Sequence, residues 1–483
     1  MIVLNCATGT LAPYTPSADR PWTRQRVQHL YRRLGIGATP QQVEDALVQS
    51  PTDLVDAIID QAKNAPPIPA PVFANWTGID YDPDEFFQQL EEHRIEWVTA
   101  WVKDMAEVPL RGKLTLFWSN HFVTRQEAYL CSSYMYQYYK VLEDNFMGNF
   151  KDFISEIGLT PAMLIFLNGA ENTKFAPNEN YARELYELFS LGADNGYTQE
   201  DIVETSRALT GYVSRQFICD AITFDENYFD TDDKTIFGQT DNWGYEDVIR
   251  ILFEQRAEKI SQFICGKLYR HFVTDEIDEN IVSSLAVTFR NANFELEPVL
   301  RQLFRSEHFF DDAVMQVKVK APIHYSLTLS NELGYEQTPQ RFLEHAYFGG
   351  ELGQVVFEPI DVAGWPGNRA WIDSNTLTLR WKVAQFHIFT LYTDEPEKLR
   401  AFAQSLAGNS NDPDFITQSI IDFFIPKGMH TLAIYDRATV VFKGEIPQNY
   451  YDDGTWNLFW DTVPAQVGVL LDYISRIPEF QTT

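Results

Sequence analysis

The sequence has few basic residues and no long apolar run, and each shortage excludes a class of protein. Lys and Arg total 38 against 68 Asp and Glu, which gives a formal net charge of -30 over 483 residues. A surface of that sign repels the phosphates of nucleic acids and of anionic lipids, so we expect no nucleic-acid partner. No apolar run reaches the roughly 18–20 residues that cross a bilayer, so we expect no membrane span.

Cysteine is also scarce. Cys6, Cys131, Cys219 and Cys265 lie far apart and form no CxxC or Cys/His spacing. Cysteines of this kind are usually small buried apolar residues, and we interpret them in that way, without need of an oxidising compartment. The N-terminus carries no basic segment before its brief apolar run, unlike a secretory signal. The chain as given therefore indicates a cytoplasmic protein.

The common catalytic motifs are missing as well. HExxH, GxSxG, GxGxxG and the P-loop pattern do not occur, so zincin, hydrolase-elbow, dinucleotide and P-loop assignments have no support. The acidic run DENYFDTDD at 225–233 lacks the central Gly and terminal Glu of an EF-hand loop. We expect a solvated irregular loop there, partly neutralised by Lys234.

Aromatic residues and helix signals are abundant. The chain has 35 Phe, 23 Tyr and 11 Trp, which is ample material for a core. Thr39 with Gln42, and Thr198 with Asp201, have the spacing of capping boxes at helix starts. The pattern predicts a mostly α fold: a large multi-helix body with irregular insertions and at most a short β-hairpin. Extended backbone is favoured for that hairpin at 431–444.

Composition divides the chain into four segments. We predict an N-terminal helical unit at 1–63, a Pro-rich connector at 64–86, a central helical body at 87–346, and a C-terminal part at 347–483. The central body carries a helical hairpin at 178–211, and the C-terminal part opens with a loop rich in Trp and Gly.

The hairpin concentrates charge. Arg183 has i,i+4 partners on both sides, Glu179 and Glu187, and the second helix carries Glu204 and Arg207. One interpretation is an ion-pair network that joins two helices, with a small contribution from each exposed pair. The other is a polar pocket in which a carboxylate serves as acid, base or metal ligand.

Two segments carry the remaining candidate residues. In FWSNHF, His121 follows Trp118 and Asn120; it suits either a core histidine bonded to a backbone carbonyl or a partner of the hairpin carboxylates. In GWPGNRAWID, the Trp rings could line a surface that binds a sugar or an aromatic group, with the Arg side chain binding an anion. The other interpretation is a rigid loop whose Trp rings are buried in the helical body. The candidate substrate-binding residues are Trp118, Asn120, Trp365, Arg369 and Trp371.

These segments resemble, in order, the signature motifs of a bacterial family called domain of unknown function 1800. The motifs span nearly the whole chain: RVQHLYRRLGIGATPQQV at 26–43, LRGKLTLFWSNHFV at 110–123, NENYARELYELFSLG at 178–192, NGYTQEDIVETSRALTGY at 195–212, ICGKLYRHFV at 264–273, KVKAPIHYSL at 318–327, FEPIDVAGWPGNRAWID at 357–373 and LLDYISRIPEFQ at 470–481. One departure is Phe229, where the family often has a histidine, and a role that needs an imidazole there is in doubt.

The resemblance implies no established activity, cofactor or metal. Members of the family often appear beside a second family that is similar to sulfatases and alkaline phosphatases. We therefore expect an accessory or scaffold protein that binds such a sulfatase-like partner.

The alternative is an enzyme of the hydrolase or transferase class. Its polar or metal-assisted site would lie between helix 110–123 and the hairpin 178–211. Glu179 or Glu184 would be the base or metal ligand, His121 its partner, and Arg183 or Arg207 the anion clamp.

Overall fold

The computed structural model describes residues 9–213, 215, 217–429 and 431–483. Over these residues the chain forms 22 α-helices, short 3-10 segments, one π-helical segment at Leu185–Ser190, and a single two-stranded sheet. The predicted mostly α fold is confirmed. Within the described ranges, no helix is both long enough and apolar enough to cross a bilayer.

The helices follow one another through short connections. Up to residue 166 they are α1 (Arg24–Leu34), α2 (Pro40–Leu47), α3 (Pro51–Asn64), α4 (Phe86–Glu107), α5 (Pro109–His121), α6 (Gln126–Tyr129), α7 (Ser132–Asn145), α8 (Phe150–Gly158) and α9 (Pro161–Phe166). The middle of the chain forms α10 (Asn180–Glu184), α11 (Gln199–Ala208), β1 (Lys234–Ile236), β2 (Gln239–Asp241), α12 (Tyr245–Phe272), α13 (Glu279–Asn291), α14 (Leu296–Phe304), α15 (Pro322–Glu332) and α16 (Pro339–Glu351). The last part forms α17 (Ser374–Asp394), α18 (Pro396–Ala407), α19 (Pro413–Phe424), α20 (Leu432–Lys443), α21 (Gln448–Asp452) and α22 (Val463–Ser475).

The chain divides into two compact units, and each combines segments that are distant in sequence. The first unit consists of the described residues up to Ile59, together with Arg305–Gln354 and Pro366–Thr483. The second consists of Asp60–Phe304 and Val355–Trp365. Each unit has its own apolar core. Buried side chains in the first include Leu30, Ile323, Leu399, Phe424 and Leu470, and in the second Trp101, Leu114, Trp118, Phe150 and Leu285.

The helix starts follow the predicted capping chemistry. Thr39 and Gln42 form a reciprocal capping box at α2, and Thr198 and Asp201 do the same at α11. In each pair the Thr hydroxyl accepts from a backbone N–H of the first turn, and the partner side chain accepts from the Thr backbone N–H. Both predicted boxes are confirmed.

The predicted hairpin at 431–444 is wrong, because this stretch forms helix α20. Ala438, Thr439 and Phe442 are its buried residues, and Ala438 and Phe442 are one helical turn apart, so one stripe of the helix faces the core. This packing outweighs the extended preference of the adjacent valines. The sheet lies instead at β1 and β2, joined by the two-residue turn Phe237–Gly238.

The interpretation of all cysteines as unpaired apolar residues is also wrong. Cys131 and Cys219 form a disulfide within the second unit, and both residues are buried. Cys265 is a free buried cysteine, as predicted. Cys6 lies outside the described residues.

Candidate functional site

Trp118 on α5 is a core residue of the second unit. Its ring is fully buried against Phe150 and Phe153. The indole N–H donates to the Phe146 carbonyl at 2.8 Å. Both the apolar body and the polar tip of the side chain are therefore satisfied inside the protein.

Asn120 fixes the position of Trp365, the first tryptophan of the GWPGNRAWID segment. Its amide nitrogen donates to the Trp365 carbonyl at 3.1 Å, and its amide oxygen accepts from the Trp365 N–H at 2.6 Å. Gly364 permits this approach, since a Cβ there would lie 2.2 Å from the Asn120 oxygen. The Trp365 ring is buried. These contacts agree with a rigid loop whose ring enters the core.

His121 ends α5 and contacts two groups of the second unit. Its Nε2 lies 3.1 Å from the Phe189 carbonyl, and its Nδ1 lies 2.8 Å from Nζ of Lys267 on α12. Because Lys267 Nζ can only donate while it is charged, His121 accepts at Nδ1 and carries its proton at Nε2, which donates to Phe189. Lys267 Nζ also lies 3.5 Å from the Leu188 carbonyl.

The π-helical segment explains why these carbonyls are available. At the C-terminal end of a helix the last carbonyls have no intrahelical donor and carry the negative end of the helix dipole. Leu188 and Phe189 belong to the π-helical turn that ends the first hairpin helix. His121 and Lys267 supply the missing donors, so the pair forms a side-chain cap for that helix.

Burial shifts the acid–base properties of this pair. It lowers the pKa of His121 far below the ordinary value, and the charge of Lys267 adds to that effect. Burial and the nearby charge of Arg270 lower the pKa of Lys267 to about 8. A lysine with such a pKa carries a neutral, nucleophilic fraction at neutral pH. Lys267 lies in the ICGKLYRHFV motif. That motif is the only feature of the sequence that points to Lys267, and the candidate residues predicted from the sequence do not include it.

The predicted i,i+4 pairs of the hairpin are present. Arg183 donates to Glu179 at 2.9 Å and lies 3.5 Å from Glu187. Gln199 on α11 bonds to both Arg183 and Glu179, and so joins the two helices. All these side chains are partly exposed, so each pair contributes little to stability.

Glu184 differs from its charged neighbours. It is half-buried, and within the described ranges it has no hydrogen-bond or ion-pair partner. Burial, with the charge of Glu187, raises its pKa, and Arg183 opposes that effect. Of Glu179 and Glu184, the two carboxylates predicted as base or metal ligand, Glu184 is the one without a bonded partner in the described part of the chain.

Arg207 bonds to the acidic loop. It pairs with Glu204 at 2.9 Å and with Asp230 at 2.8 Å. Partial burial raises the pKa of Asp230, but the hydrogen bonds from Arg207 and the Asp232 backbone, with the charges of Arg207 and Lys234, together lower it. Lys234, which we predicted to neutralise part of the loop, is buried. Its ammonium donates to Asn242 at 2.7 Å and lies 4.4 Å from the ring centre of Phe229. The ring face of Phe229 is therefore a cation–π partner in this chain.

Arg369 and Trp371 belong to the first unit, whereas Trp365 belongs to the second. Trp371 is buried, and Arg369 is exposed. Among the described residues, no three His, Cys, Asp or Glu side chains converge as a metal site requires.

Of three comparisons with known proteins, one identified the family of this chain and two found no match. The chain matches the family described as "Protein of unknown function (DUF1800)" over residues 29–482. It belongs to this family. No curated protein and no solved structure matches it. The family assignment agrees with the order of the motifs along the chain and names no activity.

Proposed function

We propose that this protein is an accessory partner that binds a sulfatase-like protein. The observation that carries the proposal is an exposed aromatic strip on α17. Phe386, Phe389 and Tyr392 follow at steps of three residues and are 38%, 66% and 42% exposed. Steps of three keep side chains on one side of a helix.

The strip continues onto the neighbouring helix of the same unit. The ring of Phe348 on α16 packs against Phe386 at 5.0 Å, and the adjacent Tyr347 is 60% exposed. Contiguous exposed aromatic groups are typical of protein interfaces and uncommon on isolated soluble surfaces. The net charge of -30 favours a partner whose contacting rim is basic.

Several of the residues predicted for an enzyme site make contacts inside the protein instead. Arg183 and Arg207 pair with carboxylates of the same unit, and Trp118 and Asn120 bond to backbone groups. These contacts account for the side chains as parts of the fold.

The test is co-production of the tagged chain with a sulfatase-like protein from the same genome. We expect a complex that elutes as one peak in size exclusion. Phe389→Ser should weaken it about tenfold or more, because truncation of a central aromatic anchor removes most of its contact energy. Phe175→Ser is the matched control, since Phe175 is 76% exposed but lies in the other unit. No complex at any salt concentration, or equal binding by both variants, overturns the proposal.

A specific observation favours a second candidate, an enzyme of the hydrolase or transferase class. Lys267 combines a lowered pKa with a hydrogen bond to the neutral His121, at the junction of α5 and the hairpin. A lysine whose pKa is lowered by burial and a neighbouring cation is an activated nucleophile of the kind used in group transfer. A substrate panel tests it: Lys267→Met should abolish an activity that the exposed-site variant Lys382→Met retains, and equal activity in both excludes Lys267.

A further inference from the structure

The Pro-rich segment that follows α3 has the backbone of a polyproline II helix. It reads APPIPAP at residues 65–71 and forms neither an α-helix nor a strand. Proline fixes its own φ at about −65° and keeps the preceding residue extended. Each residue of the segment is a proline or precedes one, so the whole segment is held near the polyproline II region. Pro71, with φ −74° and ψ 165°, lies close to that geometry.

Exposure repeats with a period of three along this segment. The residues at 65, 68 and 71 are partly buried. The residues between them are exposed: Pro66, Pro67, Pro69 and Ala70. A polyproline II helix has three residues per turn, so positions three apart lie along one edge. One edge therefore rests on the second unit, and the other two edges face solvent.

Arg111 on α5 holds the start of the segment. Its Nη1 donates to the carbonyls of Ala65 and Pro66 at 3.1 and 2.7 Å. Its Nε donates to Asp104 at 3.0 Å, and both side chains of this ion pair are buried. The carboxylate fixes the guanidinium, and the guanidinium fixes the backbone of the segment.

Glu143 on α7 holds the middle of the segment. Its Oε1 accepts from the Ile68 N–H at 2.8 Å, and its side chain is buried. Beyond these contacts the backbone is open: among the described residues, no donor bonds to the carbonyls of Pro67, Pro69 and Ala70. These three residues are exposed, so their carbonyls can accept from the donors of a partner.

The segment suits an aromatic-lined groove. Such grooves bind proline rings along a polyproline II helix, and their Trp and Tyr side chains combine a flat apolar ring with an N–H or O–H donor. A segment that is already extended and anchored loses little conformational entropy on binding. The exposed edges carry only Pro and Ala side chains, so the contact does not depend on charge.

We propose that residues 66–70 are a preformed polyproline ligand, which docks in the aromatic-lined groove of a partner protein. The segment belongs to the second unit, whereas the aromatic strip on α17 belongs to the first. The inference therefore does not rest on the sulfatase-like partner, and it stands or falls by its own experiment.

The test measures binding of the full chain to purified domains of the SH3, WW and EVH1 types, which carry such grooves. We expect at least one of these domains to bind the unmodified chain. Pro69→Gln should weaken that binding about tenfold, because it removes a displayed ring from the centre of the contact. Pro177→Gln is the matched control, since Pro177 is an exposed proline of the same unit outside the segment, and it should bind as the unmodified chain does.

Two further measurements complete the experiment. Far-UV circular dichroism should be the same for both variants, because each substitution lies on the surface and outside the helices. The affinity should change by less than about twofold between low and high salt, since the displayed edges are uncharged. Binding by none of the domains, or equal binding by Pro69→Gln and Pro177→Gln, overturns the proposal. A steep salt dependence also overturns it, because charged groups outside the segment would then make the contact.

Discussion

Nζ of Lys267 lies 2.8 Å from Nδ1 of His121, although the two residues are 146 positions apart in the chain. The contact fixes the imidazole tautomer, because a charged ammonium has donors only. It also places an amine of lowered pKa beside a neutral histidine. The same two side chains bond to the carbonyls that end the π-helical segment, so the pair is part of the helix boundary whether or not it reacts.

We predict that Lys267 reacts with a small acylating reagent at neutral pH. With a pKa of about 8, roughly a tenth of its amines are neutral at pH 7, against roughly one in 2,500 for an ordinary lysine. The measurement is pulse acylation across a pH series, with peptide mass spectrometry. The rate at Lys267 should level off near its pKa of about 8.

Arg270→Gln provides the control for the cause of the shift. Arg270 is exposed and lowers the pKa of Lys267 by charge repulsion. Its removal should move the inflection to higher pH. An inflection above about pH 10 in the unmodified protein would show an ordinary lysine.

Gly37 is expected to tolerate no side chain. Its φ is +76°, and a Cβ would lie 2.4 Å from an oxygen of Glu332, the buried partner of Arg32. Gly334 has a similar φ of +68° with open space around it. Gly334→Ala should cost about 1–2 kcal/mol in unfolding free energy from backbone strain alone. Gly37→Ala should cost about 2–4 kcal/mol more, because it displaces one member of a buried ion pair. Urea unfolding measures both, and equal costs would mean that the ion pair adjusts freely.

The sequence predicted local features well and distant ones poorly. Thr198 and Asp201, or Glu179 and Arg183, interact within one helical turn, so their spacing alone determines whether they meet. Cys131 and Cys219 are 88 residues apart, and only the folded chain brings them together. The same holds for Lys267 with His121. At α20 the tertiary packing of Ala438 and Phe442 outweighed the local preference of neighbouring valines.

The disulfide should contribute strongly to stability. Closing a loop of 88 residues restricts the unfolded chain by about 4–5 kcal/mol in the chain-entropy account. We expect reductant to lower the unfolding free energy of the unmodified protein by that order. The double variant Cys131→Ser/Cys219→Ser should be less stable from the start and insensitive to reductant; a response equal to that of the unmodified protein would assign the effect to another group.

The state of these thiols in cells tests the cytoplasmic location, which stays a prediction. Disulfides persist mainly in oxidising compartments, whereas cytosolic thiols are kept reduced. Rapid alkylation of living cells followed by mass spectrometry distinguishes the two. Alkylated Cys131 and Cys219 would agree with the cytoplasm, and a protected pair would place the protein elsewhere.

A buried chain of hydrogen bonds should make the first unit sensitive to acid. Ser326 Oγ lies 2.7 Å from Nδ1 of His345 and 2.7 Å from Nε2 of His387, and Nε2 of His345 lies 3.2 Å from Oε1 of Gln337. Because Gln337 Oε1 only accepts, His345 carries its proton at Nε2. Ser326 therefore donates to His345 and accepts from His387. Both imidazoles are neutral in this arrangement.

The pKa of His387 sets the direction of the effect. Burial and the charge of Arg341 lower it to about 3, and burial, His387 and Arg341 lower that of His345 well below its ordinary value. Below about pH 6.5 the unfolded chain takes up protons that the folded chain refuses, so stability falls as pH falls. The slope approaches about 1.4 kcal/mol per pH unit for each group.

His387→Gln keeps a donor toward Ser326 but cannot titrate. The pH dependence of its unfolding free energy should be shallower by up to about 1.4 kcal/mol per pH unit between neutral pH and about pH 5. Ser326→Ala is the matched control: it leaves both imidazoles without their shared partner and should cost about 1–3 kcal/mol at neutral pH while the acid slope persists. If the unfolding free energy of His387→Gln depends on pH as steeply as that of the unmodified protein, the protons are taken up by other groups. The buried imidazoles then do not cause the loss of stability at acid pH.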